Sequence, residues 1–368
     1  MTKRENLKIL WLSHRDPFHP QAGGVGRTIF EVCTRLHKMG HKVVILSGGY
    51  PGGNKCEEKN GIVIYRFGRR LGPHLALPVL LLRLNPDIVI NDLGHAVPWL
   101  TPILFRVKNI VFFHHLHSRS LSGQVNPILS NFIAALEKCY FLFFRKMAVV
   151  TESTTSAEDF CNLNVRNVSL DLIPPGVNHN LFRERKKTTL PSIVYFGGLR
   201  KYKRPAETLF LLMGVIREFP QTKLHIVGTG PELVKMRNLV SSLSLQNHVI
   251  FTGRLNESDL AEIVGASWVN LHTSITEGWG FSILEAAAAG TPTVAYDVPG
   301  VRDAIEQRLN GILVKDGDRD GLLLACIEIL RDPFIWSQSS REIAKKYDWD
   351  ETASEWEKLI QISTEGNF

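Results

Sequence analysis

The stretch LIPPGVNHNLFRERKKTTLPS, Leu172 to Ser192, divides the chain. Pro174, Pro175 and Gly176 interrupt regular structure and a basic cluster follows them, so the segment reads as the best linker candidate in the chain. On its amino side, short apolar runs recur: KILWLS (Lys8–Ser13), HKVVILS (His41–Ser47), DIVI (Asp87–Ile90), NIVFFH (Asn109–His114) and KMAVVT (Lys146–Thr151). On its carboxyl side the pattern restarts with SIVYFGG (Ser192–Gly198), KLHIVG (Lys223–Gly228), VIFTG (Val249–Gly253), WVNLHT (Trp268–Thr273) and TPTVAY (Thr291–Tyr296). Helical stretches lie between them, such as Val25–Lys38, closed by Gly40. Continuous Val- and Ile-rich runs separated by helices mark parallel sheets covered on both faces. The expected architecture is therefore α/β, with two Rossmann-like domains in tandem whose parallel sheets face across a cleft, residues 1–180 and 181–349. The last run, WDETASEWEKLIQ (Trp349–Gln361), has no strand of its own to cover, so 350–368 is expected to pack back on the first domain. Ligands of such sheets sit beyond the carboxyl ends of the strands.

A chain of 368 residues is too long for one ordinary α/β domain and comfortable for two. With 44% hydrophobic and 21% charged residues it has the composition of a soluble globular protein. A formal charge of +7 suits anionic partners, without choosing among nucleotides, lipid headgroups and nucleic acid. The five cysteines have no CxxC spacing, which speaks against a zinc site and for a reducing compartment. The polar start MTKRENLK meets only four apolar residues, and runs such as Leu75–Leu82 fall far short of a membrane span. A cytoplasmic location is expected, with attachment to the inner face of a membrane as the alternative.

The chemistry concentrates in TEGWGFSILEAAAAG, Thr276 to Gly290. Gly278 and Gly280 make the first half a loop, and a helix is expected from about Phe281 to Ala289, ended by Gly290. Glu277 then stands just ahead of the helix and Glu285 one turn inside it. Between them lie the unpaired amides of the first turn, a seat for phosphate. Two carboxylates beside an anion seat suit a ligand that also carries hydroxyls, such as a diphosphate flanked by ribose and hexose. Three further motifs stand at strand ends. Gly23, Gly24 and Gly26 open the first helix, where backbone amides could meet a phosphate or sugar or simply form a tight turn; the spacing is neither a dinucleotide fingerprint nor a P-loop. His114, His115 and His117 end a strand, with catalytic, metal and purely structural readings open. In YFGGLRKYKRP, Gly197 and Gly198 precede Arg200, Lys201, Lys203 and Arg204, cations that could neutralise a diphosphate without a metal or form a solvated loop. The triplets Asp316–Asp318 and Asp348–Asp350 read as a turn and a helix start rather than as metal sites.

Taken in order, these pieces resemble the retaining glycosyltransferases of family four, which have the GT-B fold. The resemblance runs through the glycine turn, His114, VTESTTSAEDF (Val150–Phe160), IPPGVNHNLF, FGGLRKYK, the E-x7-E pair Glu277…Glu285 and YDWDETA. It implies transfer of a hexose, with retention, from a UDP- or GDP-sugar to a glycan, lipid-linked or small-molecule acceptor, with no metal or other cofactor and no nucleic acid. It further implies that Glu285 holds the ribose, Glu277 the hexose and Lys203 the diphosphate. Gly280, Phe281 and Ser282 would touch sugar and phosphates, His114 would lie beside sugar and acceptor, and Gly24 would leave room for the phosphates. One position departs: the family's arginine before the leucine of GxLxxxK is here Gly198, and Arg200 is the nearest replacement cation. The alternatives within the fold are a non-catalytic nucleotide-sugar-binding subunit and a sugar-nucleotide epimerase. The aromatic run EKCYFLFFRKMAVV, with Phe132 upstream, reads first as core packing and second as a peripheral membrane contact.

Overall fold

The alternating pattern folds into two sheets in the computed structural model, which describes residues 6–366 apart from 21, 70, 95, 96, 117–125, 127, 129, 130, 132–134, 136, 138–143, 145, 146, 164, 166 and 167. His117 and the aromatics Phe132, Tyr140, Phe141 and Phe143 lie outside the described residues. The chain divides into two compact units, Met1–Gly176 with Trp349–Phe368, and Val177–Asp348.

The first unit runs β1 (Lys8–Leu12), α1 (Gly24–Lys38), β2 (Lys42–Ser47), β3 (Cys56–Lys59), β4 (Ile62–Arg66), α2 (Gly72–Leu84), β5 (Ile88–Asp92), α3 (Thr101–Leu104), β6 (Lys108–Phe113), β7 (Ala148–Thr151), α4 (Thr154–Cys161) and β8 (Ser169–Leu172). Its strand order is β3-β4-β2-β1-β5-β6-β7-β8, parallel except for the β3–β4 hairpin. The order reverses between β1 and β5, which therefore form the switch point.

The second unit runs β9 (Ser192–Phe196), a 3₁₀ turn (Lys201–Lys203), α5 (Glu207–Glu218), β10 (Lys223–Val227), α6 (Leu233–Ser242), β11 (Val249–Gly253), α7 (Glu257–Ala266), β12 (Val269–His272), α8 (Phe281–Ala288), β13 (Thr293–Tyr296), β14 (Gly311–Val314), α9 (Arg319–Arg331) and α10 (Pro333–Ala344). Its sheet is wholly parallel, ordered β11-β10-β9-β12-β13-β14, with the switch point between β9 and β12. Both faces of β9, β12 and β13 are buried, which is why their sequences are continuous apolar runs rather than alternating ones.

The last helix, α11 (Trp349–Glu365), belongs to the first unit. Trp349, Ala353, Trp356 and Ile360 share its buried face. Trp356 is wholly enclosed, its ring 5.0 Å from Trp11 and 5.1 Å from Phe112. Arg35 on α1 pairs with Asp350 in the helix's first turn, where a carboxylate also complements the dipole. Of the aromatic run before β7, Phe144 is buried against Val111 and Phe160. No helix among the described residues is long and apolar enough to cross a membrane.

Candidate active site

The carboxyl edge of the second sheet carries a charged cluster at the switch point. β9 ends before Gly197 and Gly198, and the chain turns through the 3₁₀ segment that carries Lys203. From the other side of the switch, β12 ends at His272, and the loop beyond it carries Ser274 and Glu277 before α8 begins. Backbone and side chains staple the two loops together: Ile275 N–H donates to Tyr202 O at 2.8 Å, Thr273 Oγ1 to Lys203 O at 2.8 Å, and the Arg204 guanidinium to Thr273 O and Ser274 O at 2.7 and 2.9 Å. Arg204, which the sequence left as one cation in a basic loop, is thus a clamp on the site's backbone. The Glu277 peptide is fixed by its N–H donating to Pro299 O at 3.0 Å, and any side chain at Gly300 (φ +76) would collide with Glu277 O.

Within that frame Lys203 Nζ donates to Glu277 Oε1 at 2.6 Å, and Ser274 Oγ donates to the same oxygen at 2.6 Å. His272 Nε2 stands 3.4 Å from Oε1, and its Nδ1 lies 3.0 Å from Ser282 Oγ on α8. Among the described residues these contacts all fall on Oε1. Burial alone would raise the Glu277 carboxyl, but the Lys203 ammonium and the His272 ring hold it far below the usual carboxylate range. Lys203 is the reciprocal case: burial would lower it, and Glu277 lifts it well above a free lysine. Burial dominates at His272 and lowers it, only partly offset by Glu277, which leaves a neutral ring at neutral pH. The pair is therefore locked as ammonium and carboxylate.

The helix beside it begins where the sequence predicts. Gly280 at the N-cap of α8 offers no side chain to its first-turn amides, of which Phe281 N–H donates to Trp279 O at 3.0 Å and Ile283 N–H to Gly280 O at 2.8 Å. Phe281 and Ser282 form its first turn, and Glu285 is buried one turn further in. Arg200 is exposed, and its Nε lies 3.7 Å from where a side chain at Gly198 would begin. The guanidinium therefore covers the position at which the arginine is absent.

His114 and Gly24 belong to the first unit. There the ends of four adjacent strands line up a single hydrogen-bonded row. Ser13, just after β1, donates through Oγ to Asp92 Oδ2 at 2.5 Å; Asp92 closes β5 and meets His114 Nε2 at 2.7 Å through Oδ1. His114 follows β6, and its Nδ1 lies 3.1 Å from Glu152 Oε2 beyond β7. Thr28 on α1, one turn from Gly24, donates to Glu152 Oε1 at 2.7 Å. Burial would lower His114, but its bonds to Asp92 and Glu152 prevail and raise it to about 9, so the ring is an imidazolium at neutral pH. Burial likewise opposes ionisation of Asp92, and His114 with Ser13 holds it below the usual range.

Asp92, Glu152, His272 and Ser274 were absent from the candidates read in sequence. Each stands at, or within two residues of, the carboxyl end of a strand, and that position was the available signal.

Comparison with known proteins follows the same division. Residues 178–348 match the family model described as Glycosyl transferases group 1, and residues 22–181 match Glycosyltransferase Family 4. An uncharacterized glycosyltransferase of Methanocaldococcus jannaschii, MJ1607, is 26% identical over 93% of this chain and 95% of its own length. Among solved structures, sucrose-phosphate synthase (tll1590) from Thermosynechococcus elongatus superposes with a TM-score of 0.82 at 22% identity, over 97% of this chain and 98% of that one. Anabaena Alr3699/HepE, solved in complex with UDP and glucose, superposes with a TM-score of 0.74 at 17% identity, over 97% and 100% of the two chains.

Proposed function

Because the chain is a glycosyltransferase of the family 4 type with the GT-B fold, we propose that it transfers a hexose with retention from a UDP- or GDP-sugar to a glycan, lipid-linked or small-molecule acceptor, without a metal. One observation carries the reading: the locked Lys203–Glu277 pair stands at the β9/β12 switch point, four residues ahead of the uncapped start of α8. Diphosphate oxygens suit the amides of that helix start and the remaining N–H bonds of Lys203. Glu277 Oε2 suits a hexose hydroxyl and Glu285 the ribose. Arg200 stands in for the arginine missing at Gly198. The UDP held by the Anabaena protein favours a uridine donor.

As the C1–phosphate bond breaks, positive charge grows on the sugar and negative charge on the departing diphosphate. Lys203, Arg200 and the helix amides stabilise the second charge, an effect worth several kcal/mol in a site of low polarity. The acceptor oxygen bonds to C1 on the face the phosphate leaves, and its proton passes to a phosphate oxygen, so no protein nucleophile is required. The row Ser13–Asp92–His114–Glu152 is assigned to the acceptor side, with His114 acting as a fixed cation rather than as a base.

Donor turnover followed by proton NMR tests this directly. Slow hydrolysis of one UDP- or GDP-sugar without acceptor, transfer with retained anomeric configuration and indifference to a chelator are expected. An inverted product would end the retaining mechanism, and an inert donor panel would end the catalytic reading.

A further inference from the structure

Helix α2 is apolar on two opposite sides, and only one of them is packed. Leu77 and Leu81 bury against Leu12, Leu46 and Trp99 on the face of the first sheet. At 100° per residue, Leu71, Leu75, Val79 and Leu82 fall within an arc on the other side. They are 57, 76, 55 and 83% exposed, and Phe67 just before the helix is 51% exposed. A helix apolar all round is ordinarily enclosed by protein or by lipid. This one has 13 residues, about 20 Å, too short to span a bilayer, and it lies along the surface of its sheet.

The charges around the stripe indicate what covers it. From Phe67 to Asn85 the sequence holds Arg69, Arg70, His74 and Arg83 and no acidic residue. Arg69 and Arg83 are exposed at the two ends of the stripe, and Arg70 lies outside the described residues. A symmetric contact with a second copy would bring these arginines together with no carboxylate from the stretch to answer them. An anionic lipid surface answers both features at once: leucines enter the acyl boundary while arginines meet headgroup phosphates.

We propose that α2 is a membrane-docking helix, inserting Leu71, Leu75, Val79 and Leu82 into an anionic bilayer surface with Arg69 and Arg83 on the headgroups. This site lies outside the aromatic run Tyr140–Phe144 that the sequence suggests for such a contact. It does not rest on the donor-site reading, because vesicle binding is measured without nucleotide sugar.

The test is co-sedimentation of the full-length protein with vesicles of phosphatidylcholine containing about one third phosphatidylglycerol, against pure phosphatidylcholine. Wild type is expected to pellet with the anionic vesicles, less so as salt rises, and not with the neutral ones. Leu75→Ser with Leu82→Ser should weaken binding about tenfold or more while leaving the thermal midpoint and donor hydrolysis unchanged, since both side chains are exposed. Arg69→Gln with Arg83→Gln, which leaves the apolar stripe intact, should cost roughly tenfold and flatten the salt dependence. Absence of wild type from the anionic pellet at low salt would overturn the proposal. So would equal binding to neutral vesicles or undiminished binding by either variant. A wild-type dimer in light scattering that becomes monomeric in the leucine variant, without vesicle binding, would assign the face to a second copy instead.

Discussion

The two charged clusters are built on the same principle and closed to different degrees. In the first unit the side chains of Asp92, His114 and Glu152 are at most 2% exposed, and their bonds run along the row and to Gly94 and Thr28 beside it. In the second, Lys203 and Glu277 keep 19% and 13% of their side-chain surface, and one Lys203 N–H goes to Glu277 while others remain for a ligand. A sealed cluster fixes strand ends and holds a charge in place, and removing one member strands the rest. A half-open pair can take a further partner without leaving a buried charge unanswered. Under the proposed function the sealed row would position and the half-open pair would bind and turn over the donor.

The largest effect that separates the two is expected at Lys203. Lys203→Met should lower transfer by about a thousandfold, on the order of 4 kcal/mol of barrier, a larger effect than its cost to the fold through the Glu277 carboxylate it leaves without its ammonium. Steady-state kinetics beside a melting curve measures both; near-normal turnover would remove the ammonium from the chemistry. Asp92→Asn should do the reverse, destabilising the first unit by about 3 kcal/mol by leaving buried His114 with Glu152 as its one remaining carboxylate partner, while nucleotide binding by the second unit persists. Hydrogen exchange at β5 and β6 against β9 and β12 resolves the two.

pH sharpens the contrast further. His114 is raised to about 9 in the fold, so its stabilisation is complete below the ordinary histidine range and is lost as pH climbs through 9, on the order of 3 kcal/mol in all. Glu277 is depressed, so its contribution is lost only as pH falls through the acid range, and that of the raised Lys203 only above the ordinary lysine range. Between neutrality and pH 9.5 the amides of β6 should lose protection while those of β12 do not; equal loss in both would refute the assignment. The smallest effect is expected at Arg200. Because it is exposed, Arg200→Ala should raise the donor KM about tenfold at most, and an unchanged KM would leave Gly198 uncompensated.

Much of this was legible in the sequence because parallel strands and the Ala-rich helix have local signatures. The runs Ser192–Gly198 and Trp268–Thr273 coincide with β9 and β12, and α8 starts at Phe281 between the two glutamates. Three of the four edge strands, β3, β8 and β14, were not legible in the same way. β3 (CEEK) is polar and mostly exposed, β8 (SLDL) is half polar with exposed ends, and the apolar run of β14 is confined to GILV. The β3–β4 hairpin did carry a signal, Asn60-Gly61, both at positive φ in a two-residue turn. The partners of His114 were hidden for another reason. Asp92 and Glu152 lie 22 and 38 residues away and meet it only because β5, β6 and β7 are neighbours in the sheet. Sequence spacing exposes pairs on one helix or loop, whereas strand order alone brings together pairs across a sheet.

The central claim is that the donor is held by the second unit, with Lys203 on its diphosphate and Glu285 on its ribose. Isothermal titration of UDP-, GDP- and ADP-sugars into wild type, Lys203→Met and Glu285→Ala tests it most directly. One nucleotide sugar should bind wild type, with its affinity reduced at least tenfold in each variant, while Leu75→Ser with Leu82→Ser binds as wild type does. Equal binding by wild type and both site variants would contradict the account.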